Sequence, residues 1–317
     1  MKGRMMRKGL AAVLSLAMIL CLLTACGAGG GGEKSATDMT PEEVLAAASQ
    51  NMDSLESMSY DMDMDMGFAI AIPSLEVDEK LDISSKSEAD YIKEPMKMKM
   101  TMNMDMGTGE AMDMLMYLVQ DGDTYITYTG LENEDGSFDW TRQEMSDLPD
   151  MSQYKAEDTM KLYLSSGEGF TENGTEEVNG VEAVRYDGVI KGEAMQEVMD
   201  SSGMTEQLAA MNLGGDEELF KNAGDLPISI WIDREQLLPV KYEMDMADIM
   251  QYIMEKALAQ QLEGLEGTGE MKMTVSKAFV SMTVKNFNSV DDFEIPQEAL
   301  DAEELDAAAA AEMDPTE

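Results

Sequence analysis

Histidine is absent from the 317 residues, and cysteine occurs only twice. The first absence removes Ser-His-Asp and Cys-His nucleophilic catalysis, imidazole metal sites and the usual neutral-pH proton shuttle. Cys21 lies inside an N-terminal apolar run and Cys26 follows it. Once that run is cleaved a single thiol remains, so no disulfide can staple the fold and a packed core must hold it. Basic residues are scarce as well, 22 Lys and Arg against 64 Asp and Glu, giving a formal net charge of −42. Nucleic acid is thereby excluded as a partner, because binding it depends on basic side chains that displace counterions from phosphate. Only carboxylate chemistry is left to an enzyme, and with 64 acidic residues carboxylate pairs arise everywhere by chance, so spacing singles out no catalytic pair. The chain reads as non-enzymatic, with no cofactor.

What is present begins at the N-terminus. Lys2, Arg4, Arg7 and Lys8 precede the apolar run Leu10 to Leu23, which is short for a membrane span, and Leu23-Thr24-Ala25-Cys26 closes it as a bacterial lipobox. Residues 1–25 are therefore expected to be a lipoprotein signal, cleaved so that Cys26 becomes the acylated N-terminus on the extracytoplasmic face of the cell membrane. Cleavage removes four positive charges and no negative one, taking −42 to −46. The glycine-rich stretch within 26–39 reads as a tether that holds the folded body off the membrane. A single domain is expected over 40–297, followed by an acidic disordered tail over 298–317, where Ala, Asp and Glu have little to bury.

Thr40-Pro41-Glu42-Glu43 is a capping box, and Val44, Leu45, Ala48, Met52, Leu55 and Met58 follow at helical spacing, which predicts a helix ending near Ser59. From Tyr60 the period becomes two: Met62, Met64, Met66, Phe68, Ile70 and Ile72 share one face, with Asp61, Asp63 and Asp65 on the other. Further strands are predicted at Val77 to Ile92, Met96 to Met106, Met112 to Gln120, Thr124 to Thr129, Ser137 to Arg142, Phe170 to Val178, Val181 to Ile190, Pro227 to Asp233, Leu238 to Met246 and Met271 to Phe287. Short turns such as Asp121-Gly122 and Asn179-Gly180 favour an antiparallel meander. Helices are predicted at Glu144 to Ser165, Glu193 to Asn212 and Ile249 to Leu262. In the last strand the apolar phase changes from odd at Met271, Met273 and Val275 to even at Ala278, Val280, Met282 and Val284. A bulge near Ser276 accounts for the change.

Methionine is abundant, 34 residues. Met96, Met98, Met100, Met102, Met104 and Met106 alternate with polar residues. A thioether ladder of this kind can bind Cu(I), but alternate residues on one strand lie about 7 Å apart, so convergence on one ion requires several strands. An apolar sheet face is the simpler reading, and unbranched, polarizable Met suits a changeable ligand better than a Leu and Ile jigsaw. Asp61, Asp63 and Asp65 begin an EF-hand spacing, but Met66 stands where the loop needs Gly and Ile72 where it needs Glu, so no metal site is assigned. Ile228, Ile230 and Ile232 share one face of their strand and Trp231 takes the other. Both faces of that hairpin must then be covered, by a helix, a loop or a ligand, with packing beneath a helix the simplest cover for Trp231. Val240, Tyr242, Met244 and Met246 are assigned to one face of the partner strand.

Ile228-Ser229-Ile230-Trp231-Ile232-Asp233 followed by Leu237-Leu238-Pro239-Val240-Lys241-Tyr242 resembles the LolA and LppX/LprG group of envelope lipid-binding proteins, in particular its anchored Gram-positive lipoproteins. Ser57-Met58-Ser59-Tyr60 and Phe287-Asn288-Ser289-Val290 before Ile295-Pro296 fit the same pattern. The resemblance implies an α+β fold: a strongly curved antiparallel β-sheet, an open half-barrel, with helices on its concave side around an apolar cavity. It also implies a lipid or other hydrophobic ligand. Met62, Met64, Met66, Phe68, Ile70, Met98, Met100, Met102, Met104, Val240, Tyr242 and Met244 are the candidate lining residues, and Cys26 the lipidation site. The expected partners are the membrane, through the anchor, and a hydrophobic ligand. The alternatives are an extracytoplasmic sensor or interaction module that meets an envelope protein, and a Met-rich Cu(I)-binding protein.

Overall fold

The computed structural model describes residues 39–304 apart from 74–75, 108–110, 123, 146–168, 193, 195–221 and 263–271. The expected signal segment, Cys26, nearly all of the expected tether, most of the helices expected at Glu144 to Ser165 and Glu193 to Asn212, and the end of the expected acidic tail lie outside the described residues.

The first helix, α1, spans Pro41–Met52. Thr40 accepts the Glu43 amide at 3.3 Å and donates its own N–H to the Glu43 carboxylate at 3.0 Å, completing the capping box. The helix stops seven residues before the expected end. Leu55 and Met58 fit helical spacing, but Met58, Tyr60 and Met62 fit a period of two equally well, and strand pairing from Ser57 decides between them.

Eleven strands follow: β1 Ser57–Ile72, β2 Val77–Ile92, β3 Lys97–Asp105, β4 Ala111–Asp121, β5 Thr124–Glu132, β6 Phe138–Met145, β7 Thr171–Val178, β8 Val181–Ile190, β9 Leu226–Asp233, β10 Pro239–Asp245 and β11 Lys272–Lys285. Helix α2, Ala247–Leu262, lies between β10 and β11, and a short helical turn, α3, spans Gln297–Leu300. Glu144 and Met145, expected to open a helix, instead end β6. The strands form one sheet in the order β6-β5-β4-β3-β2-β1-β11-β10-β9-β8-β7, and every neighbouring pair is antiparallel. Two meanders thus run outward from a central β1–β11 pair, and the sheet does not close. The fold is the expected α+β open half-barrel.

The expected bulge is present. Gly67 pairs with Lys277 and Phe68 with Val275, leaving Ser276 without a partner on β1, so the apolar phase of β11 shifts there. Pairing of β10 with β11 ends at Asp245 opposite Phe279. Beyond it the β11 edge is completed from α2: the Val275 N–H donates to the Gln251 Oε1 at 2.6 Å and Gln251 Nε2 donates to the Met273 carbonyl at 3.1 Å. Replacing Gln251 with Leu leaves both backbone groups without this partner in a part-buried setting, and the expected cost is about 1–3 kcal/mol. Denaturant unfolding together with faster amide exchange at Val275 checks this.

After β11 the chain turns back across the outer face. Asn288 donates its backbone N–H to the Ser57 carbonyl at 2.8 Å and accepts the Glu56 amide on its side chain at 2.7 Å, while the Val290 N–H reaches Ser57 Oγ at 3.2 Å. The motifs around Ser57 and Asn288 are thus two halves of one clasp. The segment continues past β3, where Lys97 pairs with Asp292 at 2.6 Å, and past β4, where the Phe293 ring lies tilted against Tyr117 with centroids 6.2 Å apart. It ends at β6, where Arg142 meets Glu304 at 3.4 Å. The hydrogen bond from Lys97 holds the Asp292 carboxyl below its usual range. Ala299 is fully buried with Tyr117 and Tyr128, so the folded body runs to Glu304 rather than stopping at 297. The composition of the tail hides this because a single buried methyl carries no periodic signal.

Candidate functional site

Register places one continuous apolar row across nine strands. From β8 to β5 it reads Tyr186, Ile230, Tyr242, Met282, Met62, Ser87, Met102, Met114 and Leu131. The adjacent row reads Gly188, Ile228, Met244, Val280, Met64, Ser85, Met104 and Met112. Residues directly opposite in an antiparallel ladder project to the same face, so these rows are one surface. Met98, Met100, Met102, Met104, Met62 and Tyr242 are buried in it together with Val44, Leu45, Ala48 and Met52 of α1, and Ile249 of α2 joins the same cluster. The side of the sheet that carries the methionines is therefore the side the helices cover.

Most of the surface is soft. Met98 and Met100 are each 1% exposed, and the Met98 sulfur accepts the Tyr60 hydroxyl at 3.3 Å. The Tyr242 hydroxyl points to the Met52 sulfur at 3.9 Å, tying β10 to α1. Burial of the Tyr186 ring raises its phenol pKa above the ordinary value. Thioethers with three rotatable bonds form much of this surface, so its shape can change at little cost.

Of the twelve candidate lining residues, Met62, Met64, Met98, Met100, Met102, Met104, Tyr242 and Met244 come together here. Met66, Phe68 and Ile70 continue the same face of β1 but are only half-buried and fall outside the main cluster. Val240 does not belong to it. Pro239 pairs with Ile232 and Lys241 with Trp231, so Val240 is the extra residue of a bulge and packs with Trp231 on the outer face. Sequence alternation assigns it to the wrong side because one inserted residue inverts the phase.

Among the described residues it is strands and loop residues, not a helix, that cover Trp231. It packs with Val178, Ala183 and Val240, and Val181 and Phe287 lie against this cluster. Lys241 Nζ lies 4.3 Å from its ring centroid and the Arg185 guanidinium carbon 4.9 Å. Arg185 is held by Asp187 at 2.7 Å. Partial burial pushes the Asp187 carboxyl up, and hydrogen bonds from Ser229, Asn173 and Arg185 outweigh it, leaving the group below its usual range. On the same outer face Asp61, Asp63 and Asp65 pair with Lys285, Lys86 and Lys277 across neighbouring strands. The alternating Asp run is thus a face of cross-strand ion pairs.

The alternation of small residues on β2 passes unnoticed beside the methionines in the sequence. Ser85, Ser87 and Ala89 are 3%, 2% and 4% exposed and lie between the large side chains of β1 and β3. The signal was present as small residues at every second position of a predicted strand.

The register also places Met62, Met102 and Met114 in one row, the several-strand arrangement that a thioether metal site requires. Replacing Met98, Met100, Met102 and Met104 together with Leu separates metal from packing. If they are an apolar surface, the fold survives, at a cost below about 1.5 kcal/mol per site, and uptake of apolar probes continues. Tight stoichiometric Cu(I) binding by the parent that disappears in the variant would overturn the apolar reading.

Residues 40–304 match the family described as "Family of unknown function (DUF6612)". Among solved structures, the lipoprotein LppX of Mycobacterium tuberculosis is similar at 13% identity and a TM-score of 0.39, covering 80% of this chain and 100% of its own. LprF from Mycobacterium bovis is similar at 15% identity and a TM-score of 0.39, covering 80% and 96%. A DUF1329 family protein from Desulfovibrio piger gives 13% identity and a TM-score of 0.20, covering 76% and 89%. No curated protein matches the chain.

Proposed function

Because this chain belongs to the DUF6612 family of unknown function, we propose its role from its own geometry: a membrane-anchored extracytoplasmic lipoprotein that binds a lipid or other hydrophobic ligand, without catalysis. The observation that carries this is the methionine-rich surface running across nine strands beneath α1. An acyl chain that enters such a surface gains about 0.8 kcal/mol for each methylene removed from water. The two central rows hold no carboxylate, and the Asp61, Asp63 and Asp65 carboxylates are engaged with lysines on the opposite face, which supports binding over acid–base chemistry. Among the described residues no helix is long and apolar enough to cross a membrane. The lipobox at Cys26 supplies attachment instead.

Native mass spectrometry and solvent extraction of the protein purified from its own host test the reading. A bound amphiphile that leaves on denaturation is the expected result. The near-complete burial of Met98 and Met100 favours a second reading, in which this surface is only core and the acidic exterior meets an envelope protein. A uniformly ligand-free mass, with no saturable uptake of fluorescent fatty acids or phospholipids, decides for that reading, and crosslinking in cells would then identify the partner.

A further inference from the structure

Strand β2 has a peculiarity within the methionine-rich surface. Its inward residues Ser85, Ser87 and Ala89 are small, whereas the residues paired with them on β1 are Met64, Met62 and Tyr60, and those on β3 are Met104, Met102 and Met100. Small residues between two rows of large ones form a furrow along β2. Its floor runs about 13 Å from Ser85 to Ala89, and its walls stand about 10 Å apart, two strand spacings. Ile83 and Tyr91, both packed against the core cluster, bound it at either end. The floor is buried although its own side chains fill little space, so larger side chains cover it. Unbranched Met can swing aside from such a position where Leu or Ile cannot.

One polar atom lies in this furrow without a partner. Ser87 is 2% exposed, and its Oγ is buried with no hydrogen bond. Its register opposite Met62 and Met102 aims it at the interior. A buried hydroxyl left unpaired is unfavourable, and Ala in the same place would fill the floor without that penalty.

We propose that the β2 furrow seats one acyl chain of an ester-linked lipid, and that Ser87 donates its hydroxyl proton to the ester carbonyl. The assignment rests on the lipid-binding reading and narrows it: the ligand carries a hydrogen-bond acceptor within its apolar length, flanked by methylenes on both sides. A carbonyl accepts the one hydrogen bond Ser87 can donate, and the thioether walls pack the chain.

The test uses the mature chain, residues 26–317 with Cys26→Ser so that no anchor acyl group competes, and two fluorescent probes of equal length. One is an ester of a fatty acid with a fatty alcohol, its carbonyl mid-chain, and the other its hydrocarbon analogue without the carbonyl. The parent protein binds the ester more tightly than the hydrocarbon. Ser87→Ala weakens ester binding about three- to tenfold, the value of one neutral hydrogen bond, and leaves hydrocarbon binding unchanged, so the preference disappears. Ser87→Leu fills the furrow and reduces uptake of both. Equal ester affinity in the parent and Ser87→Ala overturns the role of the hydroxyl. A folded Ser87→Leu protein with undiminished uptake overturns the seat while leaving lipid binding intact. Absence of any uptake by the parent overturns lipid binding itself and the seat with it.

Discussion

Replacing Cys26 with Ala is expected to abolish acylation and release the protein from the membrane. Leu23-Thr24-Ala25-Cys26 presents a small residue before the cut and a thiol after it, which is what diacylglyceryl transfer and the following cleavage require. Acyl chains contribute about 0.8 kcal/mol for each buried methylene, so a diacylglyceryl thioether outweighs any other attraction available to this chain. The remaining surface acts in the opposite direction, because a formal charge of −42 is repelled by anionic headgroups. Metabolic labelling with palmitate and fractionation of cells check the outcome. Labelling of the Cys26→Ala protein at the level of the parent would show that the lipobox is not used.

Replacing Trp231 with Ala is expected to cost about 3–5 kcal/mol, the range for loss of a large buried aromatic side chain. Trp231 is 1% exposed and sits where β8, β9 and β10 meet, opposite Arg185 and Lys241. Its removal takes away the packing of Val178, Ala183 and Val240 and leaves two cations without the ring they face. Trp231→Phe is the informative companion. The indole Nε1 is buried without a hydrogen-bond partner, so Phe loses volume but no hydrogen bond, and the cost falls to about 1–2 kcal/mol. Denaturant unfolding of the two variants measures both values. A Phe variant as unstable as the Ala variant would mean that the indole N–H, rather than the ring, holds the hairpin.

The resemblance carried by the hairpin motif concerned residues whose structural work is now visible. Ser57 and Asn288 clasp the end of the sheet, and Trp231 anchors its outer face. Ser57, Asn288 and Trp231 lie away from the methionine-rich interior, whereas Ile228, Ile230 and Tyr242 of the same motifs face it, so the motif serves both sides of the sheet.

Alternation and turn chemistry were enough to identify the strands, the capping box of α1 and the bulge at Ser276, because each is decided within a few residues by backbone geometry and by which side chains share a face. Other features required distant partners. The end of α1 was ambiguous until β2 paired with Ser57, and Val240 changed face through a single inserted residue. Ala299 joined the body only because Tyr117 and Tyr128 stand across from it. The row of small residues on β2 belongs to the same class: Ser85, Ser87 and Ala89 are ordinary in the sequence, and they lie between large side chains only when the register sets Met62 and Met102 on either side. Local periodicity determined the strands and the inward faces wherever no residue was inserted. The order of strands, a property of long-range pairing, decided which faces meet.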